Sequence, residues 1–116
     1  MTIGSTEEAI KIFADAAIKH GEASEQGKYR VGNRSYKYLV LAVQFLRKKN
    51  QVDLLKRLLQ HDDSGVRIWS ATYLLFSSYK NIAEKILKKE SLKTGLRAFS
   101  AEMVLKQWHE GALKLL

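Results

Sequence analysis

Three histidines, one Asp-Asp pair and two arginines recurring in register are the residues of this 116-residue chain that could do chemistry. His20, His61 and His109 would serve as general bases or metal ligands, yet no two stand at the i, i+4 spacing of a helical metal site. Each instead precedes a helix-ending signal: Gly21, Asp62-Asp63 and Glu110-Gly111. A donating or cationic imidazole suits the free carbonyls and the negative dipole at such an end. Asp62 and Asp63 would be acid/base carboxylates or cation ligands. Neighbours in a short turn do not converge on one atom, and an EF-hand needs further oxygens at fixed spacing, so N-capping is the expected role. Cysteine is absent, which removes thiolate and disulfide chemistry. No Walker loop, GxSxG or GxGxxG occurs. The residues therefore predict a non-enzymatic protein with no cofactor and no metal.

Arg67 and Arg97 belong to a phrase written twice, thirty residues apart. Gly65-Val66-Arg67-Ile68-Trp69-Ser70-Ala71 recurs as Gly95-Leu96-Arg97-Ala98-Phe99-Ser100-Ala101, and the match runs on to Leu75 and Leu105. A period in this range marks a repeat architecture. An arginine behind a glycine near a helix start could bind an anion. Helical spacing places Arg67 with Ser70, Ala71 and Leu74, and Arg97 with Ser100, Ala101 and Val104, on small apolar faces suited to close packing. A half-buried guanidinium then needs carboxylate or carbonyl partners, with Asp62 or Asp63 a natural one. Asp63, Val66, Arg67, Trp69, Ala71, Leu96, Arg97, Phe99 and Ala101 are thus read as structural, specifying how one helix pair stacks on the next.

The elements that must position these residues are helical. Proline is absent, so turns rest on Gly, Asn, Asp and Ser. Ser5-x-x-Glu8 opens a first helix over about 6–20 as a capping box, with Gly21 as its stop. Residues 21–33 read as a loop. Further helices are expected at about 34–48, 52–60, 65–78, 81–109 with a break at 91–94, and the apolar tail 112–116 should fold back on the core. Asn81 is the expected cap of the fifth helix. Residues 68–76 are apolar nearly all round, which marks the fourth helix as central and buried. The expected fold is a single all-α domain over 1–116, six helices in three antiparallel pairs: a divergent first pair at 5–49 and repeat pairs at about 51–79 and 81–110.

The segment Leu58-Leu59-Gln60-His61-Asp62-Asp63-Ser64-Gly65-Val66-Arg67, followed by Ala71 and Leu74, resembles a HEAT repeat. Trp69-Ser70-Ala71 and the stretch Leu105 to Gly111 more narrowly resemble short bacterial HEAT-like domains of unassigned activity. The resemblance covers roughly residues 34–113 and implies a short α-solenoid serving as a binding scaffold. Such scaffolds grip proteins or, less often, nucleic acid, and small bacterial versions include immunity proteins that neutralise a toxin.

Charge supplies the functional lead. Residues 1–27 hold five Asp/Glu against two Lys/Arg, a net of −3, and residues 28–116 hold 18 Lys/Arg against seven Asp/Glu, a net of +11. Arg47, Lys48 and Lys49 close the second helix. Lys56 and Arg57 on the third helix, and Lys85, Lys88 and Lys89 on the fifth, lie opposite the apolar stripes. If these outer helices are equivalent, their basic faces align into one strip able to bind an acidic protein surface or track phosphates, with Tyr29, Tyr36 and Tyr38 interleaved nearby. A protein partner, in the sharpest form a toxin domain, is the first expectation, and nucleic acid the alternative. No apolar run is long enough to span a membrane and no signal peptide is visible, so the expected setting is cytoplasmic.

Overall fold

In a computed structural model that describes residues 2–116, the chain is all helical, with six helical segments and no strand among the described residues. They are α1 (Thr6–Glu25), α2 (Tyr29–Lys48), a 3-10 helix (Val52–Leu58), α3 (Ser64–Leu74), α4 (Lys80–Ser91) and α5 (Leu96–His109). The chain divides into two compact units, Met1–Leu55 and Lys56–Leu116.

In the first unit α1 packs on α2. Ser5 Oγ accepts the Glu8 N–H at 3.1 Å, as the capping box requires, while the Glu8 carboxylate reaches back to the N–H of Gly4 at 3.0 Å. The expected loop at 21–33 is instead mostly helix. Gly21 does not stop α1: it is buried inside it, on one face with Ala14 and Ala17. A Cβ added to Gly32 would lie 3.7 Å from the Ala23 methyl, so that glycine marks the close approach of two helices. The true stop is Gly27, at φ 68°. There the N–H of Lys28 bonds the Ala23 carbonyl at 2.8 Å and that of Gly27 bonds Ser24 at 3.3 Å, a Schellman closure. Asn50, at φ 56°, closes α2 in the same way. Thr6 and Gln51 join their side chains in a hydrogen bond.

The expected third α-helix is a 3-10 helix. Three residues per turn align Val52, Leu55 and Leu58 on one side, and the two leucines are buried.

In the second unit, α3, α4 and α5 pack against one another. Asp63 caps α3, its Oδ1 accepting the Val66 N–H at 3.1 Å. As expected, α3 is buried on nearly every side, from Val66 and Ile68 to Tyr73 and Leu74. Its buried hydroxyls bond backward along the helix, Ser70 to Val66 at 2.7 Å and Thr72 to Ile68 at 2.6 Å, which removes the cost of burying them. The helix ends at Leu74, four residues before the expected end at 78. Ser77 Oγ donates to the Leu74 carbonyl at 2.7 Å and accepts the Tyr79 N–H at 3.0 Å, a local turn that competes with further helix. Phe76, expected in the core, therefore lies past the helix end, exposed and edge-on to Trp108 at 5.0 Å. Nor does Asn81 cap α4, which starts at Lys80 with Tyr79 at its N-cap. Gly111 ends α5 at φ 71° as expected. The tail departs from expectation: residues 112–116 are half-exposed to exposed, with Leu116 in solvent.

Candidate functional site

The charged end of the second unit is built by the capping turns. Asp63 divides its carboxylate: one oxygen caps α3, and the other accepts from Arg97 Nη1 at 3.3 Å, with Ser64 Oγ accepting from the same nitrogen at 3.0 Å. Arg97 of the second copy is thereby tied to the capping turn of the first. Arg67 donates to the carbonyls of His61 (2.7 Å) and Asp62 (2.9 Å) and to Glu90 Oε1 (3.1 Å). The Asp63 carboxylate thus serves the other arginine, and the carboxylate that meets Arg67 comes from the end of α4. Glu90 is 3% exposed and also accepts from Lys93 at 2.8 Å. Burial pushes its carboxyl up, but hydrogen bonds and charge from Lys93 and Arg67 outweigh that and hold it below its ordinary value. Spacing arguments could not find Glu90, because it pairs with an arginine 23 residues away.

The histidines take structural places. His20 sits inside α1 rather than at its end, and burial lowers its pKa, so it favours the neutral ring rather than a dipole-stabilised cation. His61 Nδ1 accepts the Asp63 N–H at 3.0 Å. His109 is the last residue of α5. No cluster able to hold a metal ion occurs among the described residues, and no helix is long and apolar enough to cross a membrane.

The basic residues fall in both units. Arg47, Lys48 and Lys49 are exposed at the end of α2 in the first unit, with Lys49 over the Phe45 ring. In the second unit Lys56 donates to the Tyr79 hydroxyl at 2.8 Å and lies over the same ring. Arg57 is exposed beside it on the 3-10 helix. Lys85, Lys88 and Lys89 are exposed on the outer side of α4 and form no ion pair among the described residues. Of the tyrosines interleaved with the basic residues, Tyr29 is largely in solvent at the start of α2, while Tyr36 is half-buried.

The feature that sequence reasoning missed is an open apolar row. Leu92 is 80% exposed, Leu96 56% and Phe99 59%, and Met103 is half-buried one turn further on. Leu96, Phe99 and Met103 stand at i, i+3 and i+7, one face of α5. The matching residues of the first copy are covered: Val66 is fully buried and Trp69 half-buried, stacked on Tyr73. Only Ala98 and Ala101 of α5 are fully enclosed. The signal was present in the sequence as apolar residues on both sides of α5.

No family model and no curated protein matches this chain. Among solved structures, the crystal structure of the protein RPA1889 from Rhodopseudomonas palustris CGA009 is similar, with a TM-score of 0.85 over 97% of this chain and 94% of that one, at 20% sequence identity. The likeness is one of fold.

Proposed function

We propose that this chain is a non-enzymatic protein-binding module, a short HEAT-like stack of helix pairs that docks a partner through the outer face of α5. The observation that carries the reading is the contrast between copies: the motif positions covered at Val66 and Trp69 are open at Leu96 and Phe99. Contiguous exposed apolar side chains mark interaction sites. The link from Arg97 to the Asp63-Ser64 turn supports the stacked-repeat reading, since it joins the motif arginine of one copy to the capping turn of the other.

In its sharpest form the module is a small immunity protein that covers a toxin domain. The net charge of +8 then calls for an acidic surface on that toxin. Co-purification from the native host with mass spectrometry, comparing the natural chain with a Leu96→Ser/Phe99→Ser variant, tests the docking role. A protein recovered with the natural chain and lost with the variant is the expected result. Identical recoveries from both would refute it.

A second reading, nucleic-acid binding, draws on the exposed Lys85, Lys88 and Lys89. It requires mobility shifts that weaken steeply with salt, and no shift at low salt would remove it.

A further inference from the structure

We propose that the groove between α1 and α2 binds a small carboxylic acid with an apolar body, its carboxylate held by Arg34, Lys19 and the Ser35 hydroxyl. The site lies wholly in the first unit, so it stands or falls independently of the docking role of α5.

Ser35 is the residue that points to a ligand. It is only 4% exposed and lines the groove that α2 shares with α1. A buried serine in a helix ordinarily returns its hydroxyl to the carbonyl one turn back, as Ser70 and Thr72 do on α3. The Ser35 hydroxyl makes no hydrogen bond to any described residue. Nor is its oxygen sealed in, since it keeps access to the groove. It is a donor held ready at the bottom of an open site.

The rest of the groove defines what the donor would meet. Its volume is about 500 Å³, the size of a small-molecule pocket. Ala16 and Ser35 form the buried floor, and Val31 and Tyr38 supply partly exposed apolar walls. Lys19 from α1 and Arg34 from α2 line the same groove, both exposed, and neither forms an ion pair among the described residues. Asp15, the acid on the groove, is paired with Lys11 at 2.8 Å. Glu22, three residues beyond Lys19, does not line it. The start of α2 adds the positive end of its dipole, with no acidic residue in the first turn and no side-chain cap. The groove is therefore positive. An arginine fork matches the two oxygens of a carboxylate, to which Ser35 can donate as well. An inorganic anion would leave Val31 and Tyr38 unused. A neutral apolar molecule would leave the hydroxyl and both cations unused. A carboxylate joined to an aryl or alkyl body engages every part.

Amide-shift titration of the full, isotope-labelled chain tests this with phenylacetate and octanoate, against phenylacetamide, acetate and inorganic phosphate. The expected result is saturable shifts with both acids, centred on Lys19, Arg34 and Ser35. Phenylacetamide and acetate, each lacking one half of the ligand, should bind about tenfold or more weakly. Ser35→Ala should weaken phenylacetate about tenfold and leave the melting temperature unchanged, because the hydroxyl holds nothing in the protein. Lys19→Gln/Arg34→Gln, at two exposed positions, should weaken both acids by as much or more. Phenylacetamide binding as tightly as phenylacetate, or undiminished binding to Ser35→Ala, would overturn the proposal. A lowered melting temperature for Ser35→Ala would make the hydroxyl structural and overturn it too. Acetate or phosphate binding as tightly as the two acids would reduce the groove to counter-ion accumulation at two cations. That result, or no saturable shift with either acid, would equally overturn it.

Discussion

Helices α3 and α5 carry the same phrase in opposite surroundings. In α3 the residues after the glycine are enclosed on nearly every side, down to the hydroxyls of Ser70 and Thr72. In α5 only Ala98 and Ala101 are fully enclosed, while Leu96, Phe99 and Ser100 face solvent. Their starts differ as well. Asp63 caps α3 with its side chain, and Gly65 lies within the helix. The second copy has Lys93-Thr94 where the first has Asp63-Ser64, so α5 begins two residues later in register, and Gly95 itself is the N-cap with no side-chain bond. The same phrase is enclosed in one helix and open in the other, so the residues of the phrase do not by themselves determine how it is covered.

The comparison is broken most severely by truncating its matched leucines. Leu75 is fully buried and Leu105 only half so. Leu75→Ala should cost about 3 kcal/mol of stability and Leu105→Ala under about 1.5, following the dependence of the cost on enclosure. Urea titration of both variants checks this, and equal losses would erase the asymmetry.

The two arginines come next. Arg67→Ala strands the 3% exposed Glu90 with Lys93 alone and should cost about 2–3 kcal/mol, somewhat below the loss expected for a wholly uncompensated buried charge. Arg97 meets Asp63 at longer range, with both side chains about a fifth exposed. Arg97→Ala should therefore cost only about 1 kcal/mol.

Acid sharpens the same contrast. Because Glu90 is held below its ordinary 4.5 in the folded chain, its ionised form contributes stability that is complete above that value and is lost as pH falls through the folded-state pKa. Glu90→Gln should remove this component, so that melting temperature falls less steeply below pH 4.5 than in the natural chain. His20, whose pKa burial lowers from 6.5, adds a separate loss of stability as pH falls below that value, and it should persist in the Glu90→Gln variant.

The caps give the smallest difference. Asp63→Ala removes both the α3 cap and the Arg97 partner and should cost about 1–2 kcal/mol. Gly95→Ala forces a side chain into φ 99° and should cost about 1 kcal/mol or more. Thermal melts of the pair decide whether side-chain capping or backbone freedom matters more at the two starts.

Most of the helices were legible because their signals are local. Ser5 with Glu8, Asp63 and Gly111 each act within a few residues of themselves. Gly21 and Gly32 misled for the opposite reason: Gly21 is buried within α1 and Gly32 lies against Ala23 of the facing helix, and sequence spacing cannot distinguish a glycine that ends a helix from one inside it. The arginines were legible as packing residues and Asp63 as a carboxylate partner, but not that it meets Arg97 across 34 positions, nor that Glu90 meets Arg67 across 23. The basic residues were correctly exposed. What escaped was that the apolar side of α5 is left open, which follows from no neighbour in the chain and only from the absence of cover at Leu96 and Phe99.

The central claim, that matched positions of the two copies are covered in α3 and open in α5, is most directly tested by thiol labelling, since the natural chain contains no cysteine. Val66→Cys and Leu96→Cys occupy the same place in the phrase. Leu96→Cys should react with a maleimide nearly as fast as an unstructured thiol, and Val66→Cys only at the rate of transient opening, orders of magnitude slower. Equal protection of the two thiols would contradict the account.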